Sequence, residues 1–215
     1  MNVKKSVLAT MALLFLMVGC GEKSEVSEFN KPALYWYTKI EKSISRSNLD
    51  QADNFYISLK SEHLRSPLLP TAILMLAHAH MANEEYLLAQ FYFDEYSKRF
   101  GQERNHEYIE FMKLKASFLG VRDAYKDQTL IMKTMQQAKR YLLRYPESEY
   151  RPLVHTILVR LEMSQYLLNE NIASLYERTS KPDAAEIYRE KNEDSMIEML
   201  DIQAPKKGML EKIFD

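Results

Sequence analysis

Cysteine, glycine and long apolar runs are all scarce in this chain. Cys20 is the only cysteine among 215 residues, so no internal disulfide can hold the fold together. Of five glycines, two flank Cys20, and only Gly101, Gly120 and Gly208 lie beyond. That leaves no glycine-rich loop to cradle a phosphate and no Gly-x-Ser-x-Gly elbow for a nucleophilic serine. Charge of one sign is also lacking: 29 basic and 30 acidic residues give a net charge of -1, with no general pull toward nucleic acid. The longest greasy stretch, Val7 to Val18, is too short for a bilayer span, which takes about 20 apolar residues. Few stretches alternate apolar and polar residues with period two, which argues against a sheet.

The N-terminus is organised around that stretch. Lys4 and Lys5 form a basic start, the apolar run follows, and small residues surround the cysteine in Gly19-Cys20-Gly21. This is the order of a secretory signal peptide. Leu16-Met17-Val18-Gly19-Cys20 further resembles the lipobox of bacterial lipoproteins, with Met17 where leucine is usual. The resemblance implies cleavage after residue 19, a diacylglycerol on the Cys20 thiol and an N-acyl chain on its amine. Several acyl chains hold a protein stably at a membrane where one does not. Gly21 is not the aspartate that retains lipoproteins at the inner membrane, which implies the periplasmic face of the cell outer membrane. Cleavage removes two lysines and no acid, so the mature chain carries about -3. No later segment is apolar enough to cross a bilayer, which leaves the lipid as the sole membrane anchor.

Beyond the tether, good helix formers dominate between proline breaks at Pro67/Pro70, Pro146/Pro152, Pro182 and Pro205. The class read from this is all-α. An internal repeat is also present. Leu49-x-x-Ala52-x-x-Phe55-Tyr56-x-x-Leu59 returns as Tyr86-x-x-Ala89-x-x-Tyr92-Phe93-x-x-Tyr96 and as Met135-x-x-Ala138-x-x-Tyr141-Leu142-x-x-Tyr145. A degraded fourth copy is read at Ala184-x-x-Ile187-Tyr188. Offsets of three, four and seven place these residues on one helix face, so the aromatic stripe reads as core. A second apolar-periodic segment precedes each copy: Leu34 to Ile44, Ile73 to Met81, Ile109 to Leu119 and Leu153 to Leu168.

The unit is therefore helix, turn, helix, as in tetratricopeptide repeats. The alanine spacings of 37, 49 and 46 residues exceed the usual period of about 34. They predict turns longer than usual, with the largest excess between Gly120 and Thr134. Stacked, such units form a right-handed superhelix of about four to five repeats that presents an extended binding surface. The expected organisation is a signal peptide over 1–19, a lipidated tether over 20–31, the repeat domain over 32–189 and a terminal helix and tail over 190–215.

The sequence displays no chemistry. His78 and His80 point in opposite directions on a helix, and His106-Glu107-Tyr108-Ile109-Glu110 has glutamate where a zinc-protease helix needs its second histidine. His63 and His155 stand alone. No metal site, cofactor site or catalytic group is expected, and the chain reads as a binding protein rather than an enzyme. Tyr35, Trp36 and Tyr37 are consecutive, so no single helix face buries all three. At least one is expected at a surface, where tyrosine and tryptophan are favoured in interfaces.

Three further stretches carry a family likeness. Leu88-Ala89-Gln90 opens a repeat helix, Phe118-Leu119-Gly120-Val121-Arg122-Asp123 precedes a long insertion, and Arg144-Tyr145-Pro146-Glu147-Ser148-Glu149-Tyr150 forms a Tyr-Pro turn. Ala173-x-Leu175-Tyr176-x-Arg178, then Ala184-Ala185, completes the order. From Cys20 to about Arg189 the chain resembles the BamD family, tetratricopeptide lipoproteins of the bacterial β-barrel assembly machine. It departs from the family at Gly101, where proline is usual, at Lys181, where an aromatic is common, and in a shorter end after Arg189.

The resemblance implies a non-catalytic scaffold that helps insert outer-membrane β-barrel proteins. The implied partners are a BamA-like barrel protein, met through its periplasmic POTRA domains, unfolded β-barrel substrates, and other lipoproteins of the machine. Tyr35, Trp36 and Tyr37 are the residues it suggests for substrate, and Arg178 and Arg189 those for the POTRA contact. The alternative reading is a periplasmic tetratricopeptide adaptor lipoprotein that coordinates cell-envelope or cell-wall synthesis.

Overall fold

The structure is a computed structural model that describes residues 28–101, 105–122 and 126–193. Cys20, its signal region and residues 194–215 lie outside these; the first four residues of the segment expected as a terminal helix, 190–193, continue the last described helix. The chain divides into two units, Met1–Lys31 and Pro32–Asp215, and all the described helices belong to the second. They are α1 (Ala33–Ser45), α2 (Leu49–Glu62), α3 (Leu69–Ala82), α4 (Tyr86–Phe100), α5 (His106–Leu119), α6 (Gln128–Arg144), α7 (Arg151–Arg178) and α8 (Pro182–Glu193). No strand occurs among the described residues. Each helix packs on its neighbours in sequence, and α1 also meets α3, as α5 meets α7. Contact between first helices of successive pairs is what a stack of tetratricopeptide-like hairpins requires.

The repeat read from sequence is the packing seam. Ala52, Ala89 and Ala138 are fully buried, and each has a buried aromatic ring one turn on: Tyr56, Tyr92 with Phe93, and Tyr141. A methyl side chain at that point lets the partner helix approach, and the rings fill the space one turn later. Buried tyrosines keep their hydroxyls satisfied. Tyr92 donates to Asp53 Oδ1 at 2.6 Å, and Tyr56 donates to Glu95 Oε1 at 3.4 Å.

The fourth copy sits one residue later than the reading from sequence. Ala185 is the buried alanine, whereas Ile187 is 54% exposed. The repeat is therefore Ala185-x-x-Tyr188-x-x-x-Asn192, with Tyr188 stacked on Tyr176 at 5.7 Å. Ile187 is the more apolar residue, but packing on α7 selects the face that carries Tyr188. Asn192 takes the position held by Leu59 and Tyr96 in earlier copies, and it is buried. Its Oδ1 accepts from Asn169 Nδ2 at 2.8 Å, and its Nδ2 donates to Glu170 Oε1 at 2.9 Å and Tyr166 O at 3.2 Å. The last hairpin is thus closed by amides where the others are closed by hydrocarbon.

Three hairpins share one turn, and it is shorter than the alanine spacings suggested. Ser47, Glu84 and Ser180 adopt left-handed φ of 56°, 60° and 58°. The following amides, of Asn48, Glu85 and Lys181, reach back to Ser43 O, His80 O and Tyr176 O at 3.0, 2.9 and 2.9 Å. The left-handed residues' own amides bond to Ile44 O, Met81 O and Glu177 O. This pair of bonds is the Schellman closure of a helix end, usually made with glycine. The extra length resides elsewhere. Helix α7 runs 28 residues and α6 runs 17, and the hairpin between α5 and α6 alone has a longer loop. Within that loop, Arg122 N donates to Asp127 Oδ2 at 2.9 Å. Helix α6 begins at Gln128, so much of the stretch expected as loop up to Thr134 is helical.

Candidate interaction surfaces

The three consecutive aromatics divide between core and surface. Trp36 is 2% exposed, with its Nε1 donating to Glu62 Oε2 at 2.8 Å across the α1–α2 hairpin. It is a core residue, so any direct contact with a partner falls to its neighbours. Tyr35 and Tyr37, one position either side, are half-buried on opposite flanks of the helix. Tyr35 meets Trp36 edge-on at 5.2 Å, and Trp36 in turn lies 6.1 Å from Phe55. Lys39 Nζ stands 5.3 Å from the Tyr35 ring and 5.5 Å from the Phe55 ring, holding a cation over two π faces. Leu34, beside them, is 63% exposed. The result is a small aromatic patch with a positive rim at the first hairpin. Tyr37 faces the second pair, its hydroxyl 3.7 Å from Met75 Sδ; burial, then Glu41, raises its pKa.

At the other end, Arg178 and Arg189 do different things. Arg189 Nη1 pairs with Glu177 Oε1 at 2.7 Å, tying α8 to the end of α7. The hydrogen bond to Glu177 and its charge hold the Arg189 guanidinium above its ordinary value, and Arg189 lowers Glu177 in return. Both side chains are about half exposed, so the pair is a solvated clasp worth little by itself. Arg178 is exposed in the last turn of α7, with no ion pair among the described residues.

A polar node at the junction of the first two hairpins is not visible in sequence. His80, 1% exposed, puts Nδ1 at 2.5 Å from Glu85 Oε2 and Nε2 at 3.0 Å from Asp53 Oδ1. Its ring stacks on Tyr92 at 5.4 Å with an 11° tilt, and Tyr92 shares Asp53 with it. Burial opposes the charged imidazole, but hydrogen bonds and charge from Asp53 and Glu85 outweigh it, and the pKa is raised. Nothing in the spacing of Asp53, His80 and Glu85 announced this, because α2, α3 and the α3–α4 turn each supply one member. Among the described residues no group of three histidine, cysteine or acidic side chains could hold a metal ion. No described helix is long and apolar enough to cross a membrane.

A family model described as an outer membrane lipoprotein, YfiO, matches residues 30–192. A protein of Helicobacter pylori (strain ATCC 700392 / 26695), named outer membrane protein assembly factor BamD, is 40% identical over 196 residues. The match covers 91% of this chain and 89% of that protein. The chain belongs to the BamD family of outer-membrane lipoproteins.

The stretches that carry the BamD likeness have structural jobs in the fold. The Tyr-Pro turn is locked onto α5: Tyr145 OH lies 2.7 Å from His106 Nδ1, and Tyr150 stacks on Phe111 at 4.5 Å. Ser148 Oγ meets Tyr141 OH at 2.9 Å and accepts from Tyr150 N at 3.1 Å. Gln90, in the stretch that opens α4, donates to Ser117 Oγ at 2.8 Å and joins the second hairpin to the third. These BamD-like motifs therefore set hairpin geometry, and leave exposed side chains elsewhere to meet other molecules.

Proposed function

We propose that this chain is a non-catalytic lipoprotein scaffold that helps assemble β-barrel proteins into the outer membrane. The observation that carries the proposal is the identity of 40% across 91% of the chain to a protein named as an outer membrane protein assembly factor. The fold supports it. A stack of helix hairpins offers length and exposed edges for docking, and a scaffold needs both. In this reading the acyl chains on Cys20 hold the protein at the periplasmic face of the membrane. The end of the stack near Arg178 docks on POTRA domains of a BamA-like barrel protein. The patch around Tyr35, with Lys39 and Phe55, receives unfolded barrel segments, whose alternating aromatic side chains suit stacking and cation–π contact.

The test is affinity isolation of the lipidated chain from membranes in mild detergent, paired with controlled depletion. Co-isolation of a POTRA-bearing barrel protein, and a fall in many barrel proteins on depletion, are the expected results. Recovery of the chain without such a partner, or altered cell shape with barrel proteins at normal levels, overturns the reading and favours a cell-wall adaptor. Arg178→Glu is expected to weaken co-isolation at least fivefold, and Tyr35→Ala to leave co-isolation intact while slowing barrel assembly.

A further inference from the structure

The face between α5 and α6 holds a groove of 490 Å³ lined by residues of both helices. From α6 come Gln137, Arg140, Tyr141 and Arg144, whose offsets of three, four and seven place them on one helix face, and Tyr145 follows as the residue that caps the helix. From α5 come Glu110, Lys113 and Leu114, and exposed Leu143, 83% accessible, stands at the edge. The apolar and aromatic surface is accompanied by an imbalance of charge, for the lining carries three cations and one carboxylate.

What those charges already do decides what is left over. Lys113 Nζ is engaged by Asp94 Oδ1 at 2.8 Å and by the groove's one carboxylate, Glu110 Oε1, at 3.1 Å. Arg140 and Arg144 are exposed, one turn apart, and neither has an ion pair among the described residues. Arg144 instead lies over the Tyr145 ring at 5.5 Å, held with its guanidinium beside the aromatic wall. The groove also has an unmet acceptor. Gln137 Oε1 is buried without a hydrogen-bond partner. Such an orphan is costly, and an amide that turns toward an incoming backbone N–H recovers the bond.

We propose that this groove binds an extended polypeptide segment of a partner protein that carries acidic side chains next to an aromatic or aliphatic one. The two guanidiniums take side-chain carboxylates, which suit their forked donors. Tyr145 and Leu143, above a buried floor of Leu114 and Tyr141, take the apolar side chain, and the Gln137 amide takes a backbone N–H. A terminal carboxylate fits less well, because the chain end is usually captured by a nest of free backbone amides. Here the nearest backbone is the C-terminal end of α6, which presents carbonyls, and the Tyr145 amide is already bonded to Tyr141 O at 2.9 Å. The site is separate from the patch at Tyr35 and from Arg178, so it stands or falls independently of the roles proposed above.

The test uses the full lipidated chain in detergent and a fluorescent hexapeptide of alternating glutamate and phenylalanine, blocked at both ends. Anisotropy is expected to show saturable binding below about 1 mM, weakened by salt. Arg140→Ala and Arg144→Ala together are expected to reduce affinity at least tenfold, and Arg→Lys at both sites to restore part of it. Both residues are exposed, and unchanged circular dichroism certifies that the variants fold. Absence of saturation, equal binding of the glutamine–phenylalanine peptide, or undiminished binding by the double alanine variant overturns the proposal. Two other results do so as well: arginine-dependent binding of an unblocked peptide whose only carboxylate is its terminus, or of phosphatidylglycerol vesicles in place of the peptide.

Discussion

At the residue scale, the most consequential side chain is His80. A buried imidazole with a carboxylate on each ring nitrogen welds α2, α3 and the following turn through one group. Its pKa is raised in the fold. A group whose folded pKa lies above its unfolded value contributes stability that is complete below the unfolded pKa, about 6.5 for histidine. That contribution fades as pH rises through the folded value. The groups facing the ring are Asp53 from α2, Glu85 from the turn, itself held by Asn83 Nδ2 at 2.6 Å, and Tyr92 from α4. Urea unfolding is therefore expected to show a lower midpoint at about pH 8.5 than at about pH 6. His80→Gln should lower the midpoint at pH 6 and remove most of the difference. An equal pH dependence in His80→Gln would assign the effect to other groups.

Trp36 shows the limits of reading at this scale. Three aromatics in a row required one to leave the core, and the sequence did not say which. The structure buries the largest, because its indole both fills the α1–α2 seam and finds Glu62 for its N–H. The tyrosines on either side are only half-buried, and the Tyr37 hydroxyl finds Met75 Sδ, so they take the margins.

At the scale of elements, the shared turn explains how three hairpins with unlike sequences close alike. Ser47, Glu84 and Ser180 occupy left-handed positions that normally favour glycine, each held there by two backbone hydrogen bonds. Glu84→Gly is expected to stabilise the fold by about 0.5–1 kcal/mol, since relief of left-handed strain exceeds the entropy cost of glycine. Thermal denaturation of Glu84→Gly beside the parent chain measures this, and a lowered midpoint would mean that Glu84 makes a compensating interaction. The scarcity of glycine concealed these turns from sequence reading. Their conformation is imposed by the helices on either side rather than invited by the residue itself.

Across the whole molecule, stability is uneven because the seams differ in chemistry. Early hairpins are closed by Trp36, Ile40, Leu59, Leu76 and Phe93, all essentially inaccessible. The last is closed by the amides of Asn169 and Asn192, with Gln165 bonded to Asn169 Oδ1 through its Nε2 while its Oε1 is buried without a partner. In a linear stack each hairpin leans only on its neighbours, so the end with the weaker seam opens first. Amide exchange should be fastest in α8 and the second half of α7. Asn192→Ala leaves the Asn169 amide unmet at a cost of about 1–3 kcal/mol. It should raise exchange in α8 while leaving α1 to α4 unchanged. Uniform acceleration along the chain would show that the stack unfolds as one unit.

The all-α class, the pairing of helices and the first three copies of the Ala-aromatic seam were all legible in the sequence. Each depends on spacing along one helix, and helix geometry converts spacing into a shared face without knowledge of any partner. Membership of the BamD family was legible too, since the Tyr-Pro turn is a local string. The register of the fourth copy, the burial of Trp36 and the node at His80 were settled only by tertiary packing. In each case two or more faces were open to the helix by its own pattern, and contact with residues distant in sequence chose between them. The guanidiniums of Arg140 and Arg144, without an ion pair among the described residues, belong to the same class. Charge is written in the sequence, but whether a charge is spent on a neighbour depends on which side chains the fold brings within reach.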